Sequence, residues 1–214
     1  MMAQSSHDAH VIGPQFVVPY QINVVVNRCP TGYLEITDIQ NNIMFTIRSC
    51  NTPLHCQRLM RDGRGTPIAM LRAKNRTAHD RWNIFRGQSN ADSDMIFTAA
   101  KNNMIQNQTH VNVFLGNKTS HNVSCDFHIE GSWSKRNCAF FSGNTSTIIA
   151  QMRLAQPPER FMVTISPNVD YAFVVALIGT IDAMKSSGSI KAAAHVAVGI
   201  ATGAVRYISG VGPP

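Results

Sequence analysis

The stretch VDYAFVVALIGTIDAM, Val169 to Met184, decides how the other parts of this 214-residue chain must fold. Placed on a helix at about 100° per residue, Tyr171, Phe173, Val174, Val175, Leu177, Ile178, Ile181 and Met184 fall on every side. A helix that is apolar all round is buried, in a bilayer or in a protein core. Asp170 and Asp182 leave eleven uncharged residues between them, whereas a membrane span needs about 17 to 25 predominantly apolar residues. A central helix of a protein core is therefore expected. Pro167 stops the segment before it, Asn168 is placed as the N-cap, and Asp170 in the first turn suits the positive end of the helix dipole. Lys185 and Gly188 close the helix. Gly179 in mid-helix costs about 1 kcal/mol against alanine, so a neighbouring side chain is expected to pack closely there.

Upstream of the helix the sequence is strands and turns. Twelve short segments rich in β-branched and aromatic residues lie at 22–26, 33–37, 43–48, 58–61, 67–72, 81–86, 95–101, 109–115, 123–129, 137–142, 147–153 and 161–166. Turn residues such as Asp38 to Asn42, Asp62-Gly63-Arg64-Gly65 and Gly116-Asn117-Lys118 separate them. In YLEIT, Tyr33, Glu35 and Thr37 fall on one face and Leu34 and Ile36 on the other. Short connections without amphipathic helices indicate an antiparallel sheet or barrel rather than βαβ units. A barrel larger than eight strands leaves a lumen that needs filling, and the helix from Val169 is a suitable plug. Each large apolar side chain buried there contributes about 1.5 to 3 kcal/mol gross, so the barrel is not expected to stand without it.

The first residues, MMAQSSHDAH, form a polar start with neither the basic n-region nor the apolar h-region of a secretory signal. A cytoplasmic protein is expected, with peripheral contact at the plasma membrane, and the nucleus is the alternative. Five cysteines (Cys29, Cys50, Cys56, Cys125 and Cys138) are an odd number without a CxxC pair, so buried free thiols are expected and a zinc site is not. The sequons at Asn75, Asn107, Asn117, Asn122 and Asn144 are a composition effect of an Asn- and Thr-rich chain. The expected organisation is a flexible tail at 1–18, a barrel domain at 19–185 and an extension at 186–214. That extension begins with Ser186-Ser187-Gly188-Ser189, and its second apolar segment, 190–207, carries the small-residue pair Gly199 and Gly203.

Net charge is +7, and it is concentrated. Arg58, Arg61, Arg64, Arg72, Lys74, Arg76, Arg81 and Arg86 lie within one window that holds only Asp62 and Asp80 as acids. Alternation puts Arg72, Lys74 and Arg76 on one face if the strand continues, with Arg58, Arg61 and Arg64 bordering the neighbouring turn. These six are the expected ligand-binding residues, gripping an anionic phospholipid headgroup by charge-assisted hydrogen bonds.

Five strings in register carry a family likeness: His79-Asp-Arg-Trp-Asn-Ile-Phe-Arg-Gly87, Val113-Phe-Leu-Gly116, Cys125-Asp-Phe-His-Ile-Glu-Gly-Ser-Trp133, Ile149-Ala-Gln-Met152 and Pro167-Asn-Val-Asp-Tyr-Ala-Phe173. Over about Pro19 to Ala183 the chain resembles the plant LURP-one-related family. The resemblance implies a twelve-stranded antiparallel β-barrel around a central C-terminal helix, similar to the tubby C-terminal domain and related to phospholipid scramblases. It also implies phosphoinositide binding at a membrane, as in tubby-like domains, and a link to plant defence. Two departures stand out. Gly179 replaces a larger residue, and the tail after Ser186 has no counterpart in the family.

Catalysis requires a base, a nucleophile or a metal in a defined relation, and nothing at a recognisable spacing supplies one. His79 and Asp80 are neighbours in an extended segment and point to opposite faces. Trp82 and Trp133 are expected in the core or at the barrel rim. A non-enzymatic, monomeric protein without cofactor or metal is expected, with anionic phospholipid as partner and no nucleic acid. Two alternatives are a membrane-tethered transcription regulator or protein-interaction module, and a scramblase-like lipid mover.

Overall fold

The computed structural model describes residues 10–74, 81–102, 108–116, 124–143, 145–155 and 160–186. Its twelve strands are β1 (Ile22–Arg28), β2 (Leu34–Thr37), β3 (Ile43–Ser49), β4 (Gln57–Asp62), β5 (Pro67–Ala73), β6 (Arg81–Arg86), β7 (Met95–Lys101), β8 (Thr109–Leu115), β9 (Phe127–Ser132), β10 (Asn137–Ser142), β11 (Ile148–Leu154) and β12 (Arg160–Ile165). Each pairs antiparallel with its neighbours in the chain, and β1 pairs with β12 from Ile22↔Ile165 to Asn27↔Arg160, which closes the barrel. Residues 171–186 form a helix, α1. The expected twelve-stranded antiparallel barrel with a C-terminal helix is what the chain builds.

Eleven strands lie within one or two residues of their expected ends; the ninth is displaced. It was expected at 123–129 and runs from Phe127 to Ser132. Gly131 carries it further, at φ 127°, with the Asn137 carbonyl oxygen so close that a Cβ would collide with it. Between Ile36 and Thr37 the pairing with β3 skips Met44, and Thr37, on the face of Glu35 as expected, is nonetheless buried beside Val25 of β1.

Strand after strand turns apolar residues inward, among them Val24, Leu34, Phe45, Met60, Leu71, Ile84, Phe97, Ile129, Phe140 and Val163, each at most 2% exposed. Trp82 and Trp133 are buried as well. The chain divides into two compact units, Met1–Thr180 and Ile181–Pro214. In the first, helix residues 172–180 are buried on all sides. Phe173 meets the Phe97 ring edge-on at 5.1 Å and the Phe127 ring at 4.8 Å. Tyr171 stands 5.6 Å from the Phe16 ring and 5.9 Å from that of Phe45. In the second unit, Ile181 to Met184 are buried and the Ser186 hydroxyl donates to the Asp182 carbonyl at 2.8 Å. Gly188 lies outside the described residues.

The N-cap differs from expectation. Asn168 sits at φ 60° in the turn before the helix, and Asp170 is the cap: its Oδ1 accepts from the Phe173 N–H at 3.0 Å. The same carboxylate holds the chain's beginning, because Oδ2 accepts from the N–H groups of Ile12 at 2.7 Å and Gly13 at 3.0 Å. Residues 11–18, expected within a flexible tail, are therefore built into the barrel unit. Val11, Ile12 and Phe16 are buried, Val17 bridges Asp170, and Arg86 Nη1 donates to the Ile12 carbonyl at 2.9 Å. Apolar residues at 11, 12, 16, 17 and 18 give this segment enough surface to dock.

At Gly179 the expected close approach is present. A Cβ there would lie 2.6 Å from Ile47 Cδ1 and 3.2 Å from Leu71 Cδ2. For Gly179→Ala, the roughly 1 kcal/mol gained in helix propensity opposes a rotation of the Ile47 tip. Thermal unfolding should show a midpoint close to that of the parent chain. Gly179→Leu adds volume that two neighbours cannot both vacate, and a loss of about 1 to 3 kcal/mol is expected. A leucine variant melting with the parent would mean that the lumen is not full.

Candidate functional site

Antiparallel order gives the barrel two mouths. The proximal mouth holds the start of α1, residues 10–18 and the connections after β2, β4, β6, β8 and β10; the distal mouth holds those after β1, β3, β5, β7, β9 and β11. Charge is divided between them. The proximal connections are built on aspartates that accept from turn N–H groups. Asp38 takes those of Gln40 and Asn42, and Asp126 that of Leu115 at 2.8 Å. The side-chain hydrogen bond from Asn42 is the largest cause holding the Asp38 carboxyl below its ordinary value. Asp62 accepts from Arg64 at 3.0 Å and Thr66 at 2.7 Å.

Distal ends carry cations: Arg28, Arg48, Arg72, Lys74, Arg81, Lys101, Lys135, Arg136 and Arg153. Glu35 and Glu130 are the acidic residues of the first unit in that half among the described residues, and Glu130 is shared by His110 at 3.3 Å and His128 at 3.9 Å. Two of the guanidinium groups stand over aromatic rings. Arg48 is 4.4 Å from the Tyr33 centroid, and Arg136 is 4.7 Å from that of Phe161. The Tyr33 hydroxyl is raised, first by its hydrogen bond with Cys29, while Arg48 pulls it the other way.

This frame separates the six residues expected to act together. Arg58 is 7% exposed and shares the inward face with Met60, opposite Leu71. It is removed from any outer patch. Arg61 and Arg64 belong to the proximal mouth, where Arg61 Nη1 donates to the Gly65 carbonyl at 2.8 Å. Arg72 is five residues along β5 from Pro67, the partner of Arg61, which places it about 17 Å away along the strands. Arg72 and Lys74 remain together at the distal mouth. Arg76 lies outside the described residues, as do His79 and Asp80.

The residue that joins them was within the basic window but not among the six. Lys74 N–H donates to the Arg81 carbonyl at 2.9 Å, and the pairs Arg72↔Asn83 and Ala73↔Trp82 set the register. Trp82 is buried, so alternation turns Arg72, Lys74 and Arg81 outward together. Lys74 and Arg81 face each other across the hairpin, and like charges directly opposite are destabilising. An anion placed between them relieves that repulsion. The signal in the sequence was the hairpin register, which requires knowing where β5 stops and β6 starts.

The five cysteines stand as thiols, and only Cys138 is fully buried. Cys56 is exposed on the connection after β3, and burial raises the thiols of Cys50 and Cys125. No group of three His, Cys, Asp or Glu residues fit to hold a metal occurs among the described residues. No helix among them is long and apolar enough to cross a membrane.

A profile of the LURP-one-related family matches residues 26–182. The chain belongs to the LURP-one-related family. It is 36% identical over 183 residues to protein LURP-one-related 15 of Arabidopsis thaliana, covering 80% of this chain and 84% of that one. It is 32% identical over 191 residues to protein LURP-one-related 10 of the same plant, covering 84% of this chain and 98% of the relative. A crystal structure of an Arabidopsis thaliana protein superimposes with a TM-score of 0.66 at 34% identity, covering 80% of this chain and 96% of that chain. As a family member the chain carries the barrel these relatives lead one to expect, and their names designate a family rather than an activity.

Proposed function

We propose that this LURP-one-related protein is a non-catalytic binding module whose distal mouth docks on anionic phospholipid headgroups, phosphoinositides among them. The observation that supports it is the segregation of charge: the proximal turns consume aspartates, while Arg72, Lys74 and Arg81 turn outward together at the other end, with Lys101 on the adjoining strand β7. A one-sided positive field attracts an anionic leaflet, and each Lys or Arg near such a surface contributes about 1 kcal/mol. Opposed cations on one hairpin add a local site where a phosphate offers acceptors to both.

Flotation with phosphatidylcholine vesicles, with and without phosphoinositide, tests this reading. The parent chain should float only with the anionic vesicles and lose binding as salt rises. Changing Arg72, Lys74 and Arg81 together to Glu should weaken binding by about 100-fold or more, whereas Arg61→Glu with Arg64→Glu at the other mouth should leave most of it. Equal binding to neutral vesicles, or an unchanged triple variant, would overturn the proposal. Duplex DNA serves as a control, and tighter salt-sensitive binding to it than to vesicles would also count against lipid as the partner.

A further inference from the structure

The distal mouth is not only basic. Among the described residues six large hydrophobic side chains are strongly exposed, and two of them, Leu54 at 76% and Leu154 at 61%, stand at this mouth. Leu54 is displayed rather than left loose. Thr52 and His55 exchange backbone hydrogen bonds at 3.0 and 3.3 Å, which makes Pro53-Leu54 the tip of a tight turn. The base of the loop is tied by Cys50 N–H to the Gln57 carbonyl at 3.0 Å, Gln57 N–H to Asn51 Oδ1 at 2.9 Å and Ala73 N–H to the Cys56 carbonyl at 2.9 Å. Proline at the first corner position fixes the turn further. The fold thus holds a leucine side chain out in water on a rigid support.

Leu154 ends β11, paired with Phe161 of β12. In the strand order, β4 and β11 are separated by β3, β2, β1 and β12, five steps around twelve. The two leucines therefore stand on nearly opposite sides of the mouth, on the order of 20 Å apart given the usual strand spacing and tilt. Arg72, Lys74 and Arg81 flank one, and Arg153 is the immediate neighbour of the other. At the proximal mouth, by contrast, exposed Ile39 and Ile43 lie beside Asp38 and within reach of the Asp62 turn, a setting that an anionic surface repels.

We infer that Leu54 and Leu154 are a pair of bilayer wedges. They enter the headgroup and upper acyl region on opposite sides of the distal mouth, while the cations between them bind lipid phosphates, so that the barrel stands mouth-down on the membrane. This inference rests on the anionic-lipid reading above and adds to it an apolar component and a fixed orientation. The occupant is a bilayer surface rather than a soluble phosphate, because a free headgroup offers nothing to a leucine. Two supports on opposite sides resist tilting, which one hydrophobic tip cannot do.

Vesicles of phosphatidylcholine with phosphatidylserine are the probe. The full chain carrying Leu54→Ser and Leu154→Ser should melt like the parent, both side chains being exposed, and bind these vesicles about 10- to 100-fold more weakly. Full chains carrying Leu54→Trp or Leu154→Trp should each lose tryptophan fluorescence on vesicles whose acyl chains are brominated. Native Trp82 and Trp133 are buried, and the parent chain provides their baseline. If the double serine variant binds like the parent and neither added tryptophan is quenched, the wedges fall while headgroup binding stands. Quenching at one position alone overturns the two-sided orientation. If the parent chain does not bind these vesicles at all, both readings fall together. Competition by soluble inositol phosphate that removes all binding, with no quenching, would assign the mouth to a free ligand and overturn the wedges.

Discussion

Replacing Phe173 with alanine should lower the unfolding free energy by about 3 to 5 kcal/mol, the range for deleting a buried aromatic ring from a close-packed core. Phe173 is 1% exposed in the first turn of the helix, edge-on to Phe97 at 5.1 Å and tilted on Phe127 at 4.8 Å. Its loss removes apolar burial and two ring contacts, each contributing about 0.5 to 1.5 kcal/mol beyond area. The cavity should persist, because the two partner rings stand on β7 and β9 and the closed hydrogen-bond ladder holds those strands apart. Urea unfolding of Phe173→Ala beside Phe173→Leu measures this. Leucine should recover part of the loss, and an alanine loss below about 1 kcal/mol would mean that the lumen collapses freely.

Asp170→Ala should be as damaging, for an electrostatic reason. One carboxylate accepts from Phe173 N–H at the helix start and from Ile12 and Gly13 N–H in the N-terminal segment. Alanine leaves these donors buried without partners, at about 1 to 3 kcal/mol each where water cannot reach, so a loss of about 3 to 5 kcal/mol is expected. Hydrogen exchange at the Ile12 and Gly13 amides should accelerate more than exchange in the strands. If exchange rises uniformly, the segment 11–18 is not anchored at Asp170. Asp170→Asn recovers only part, since its amide nitrogen cannot accept.

The same residue sets a pH dependence. Burial is the largest cause raising the Asp170 carboxyl above its ordinary 3.8, with hydrogen bonds from Gly13, Phe173, Ile12 and Ala172 opposing it. The folded state then binds a proton that the unfolded chain has released. This contribution to stability is fully present below 3.8 and is lost as pH rises through the higher folded-state value. In urea titrations across that window, the parent should lose stability with rising pH relative to Asp170→Asn. A difference of the opposite slope would show that the hydrogen bonds outweigh burial.

How far the sequence could be read depended on whether a local pattern had one solution. Helix 171–186 was legible because apolar residues on every side admit only burial. Strands such as Phe161-Met-Val-Thr-Ile165 were legible through alternation. The string Arg58-Leu59-Met60-Arg61 was not, because both middle residues are buried. Met60 points into the lumen, while Leu59 joins Met70 and Phe85 in an outward cluster with Cys50 and Met95 packed on it. With both faces apolar, nothing local says which way Arg58 turns. The N-cap was misplaced for a related reason: Asn168 and Asp170 are both good caps, and the choice was made by Ile12 and Gly13, more than 150 residues away in sequence.

The sequence by itself determined that the chain makes twelve antiparallel strands and one buried helix, that Gly179 is crowded, and that the family is LURP-one-related. The strands and the helix follow from period, composition and turn chemistry, which act over a few residues, whereas the family is carried by the five strings in register. Tertiary structure alone decided which cations share a face. Barrel closure and hairpin register sent Arg58 inward, left Arg61 and Arg64 at the mouth of turn-building aspartates, and brought Lys74 opposite Arg81 at the other. Charge is a property of a residue, but a charged site is a property of register, and register is fixed only when every strand has found both neighbours.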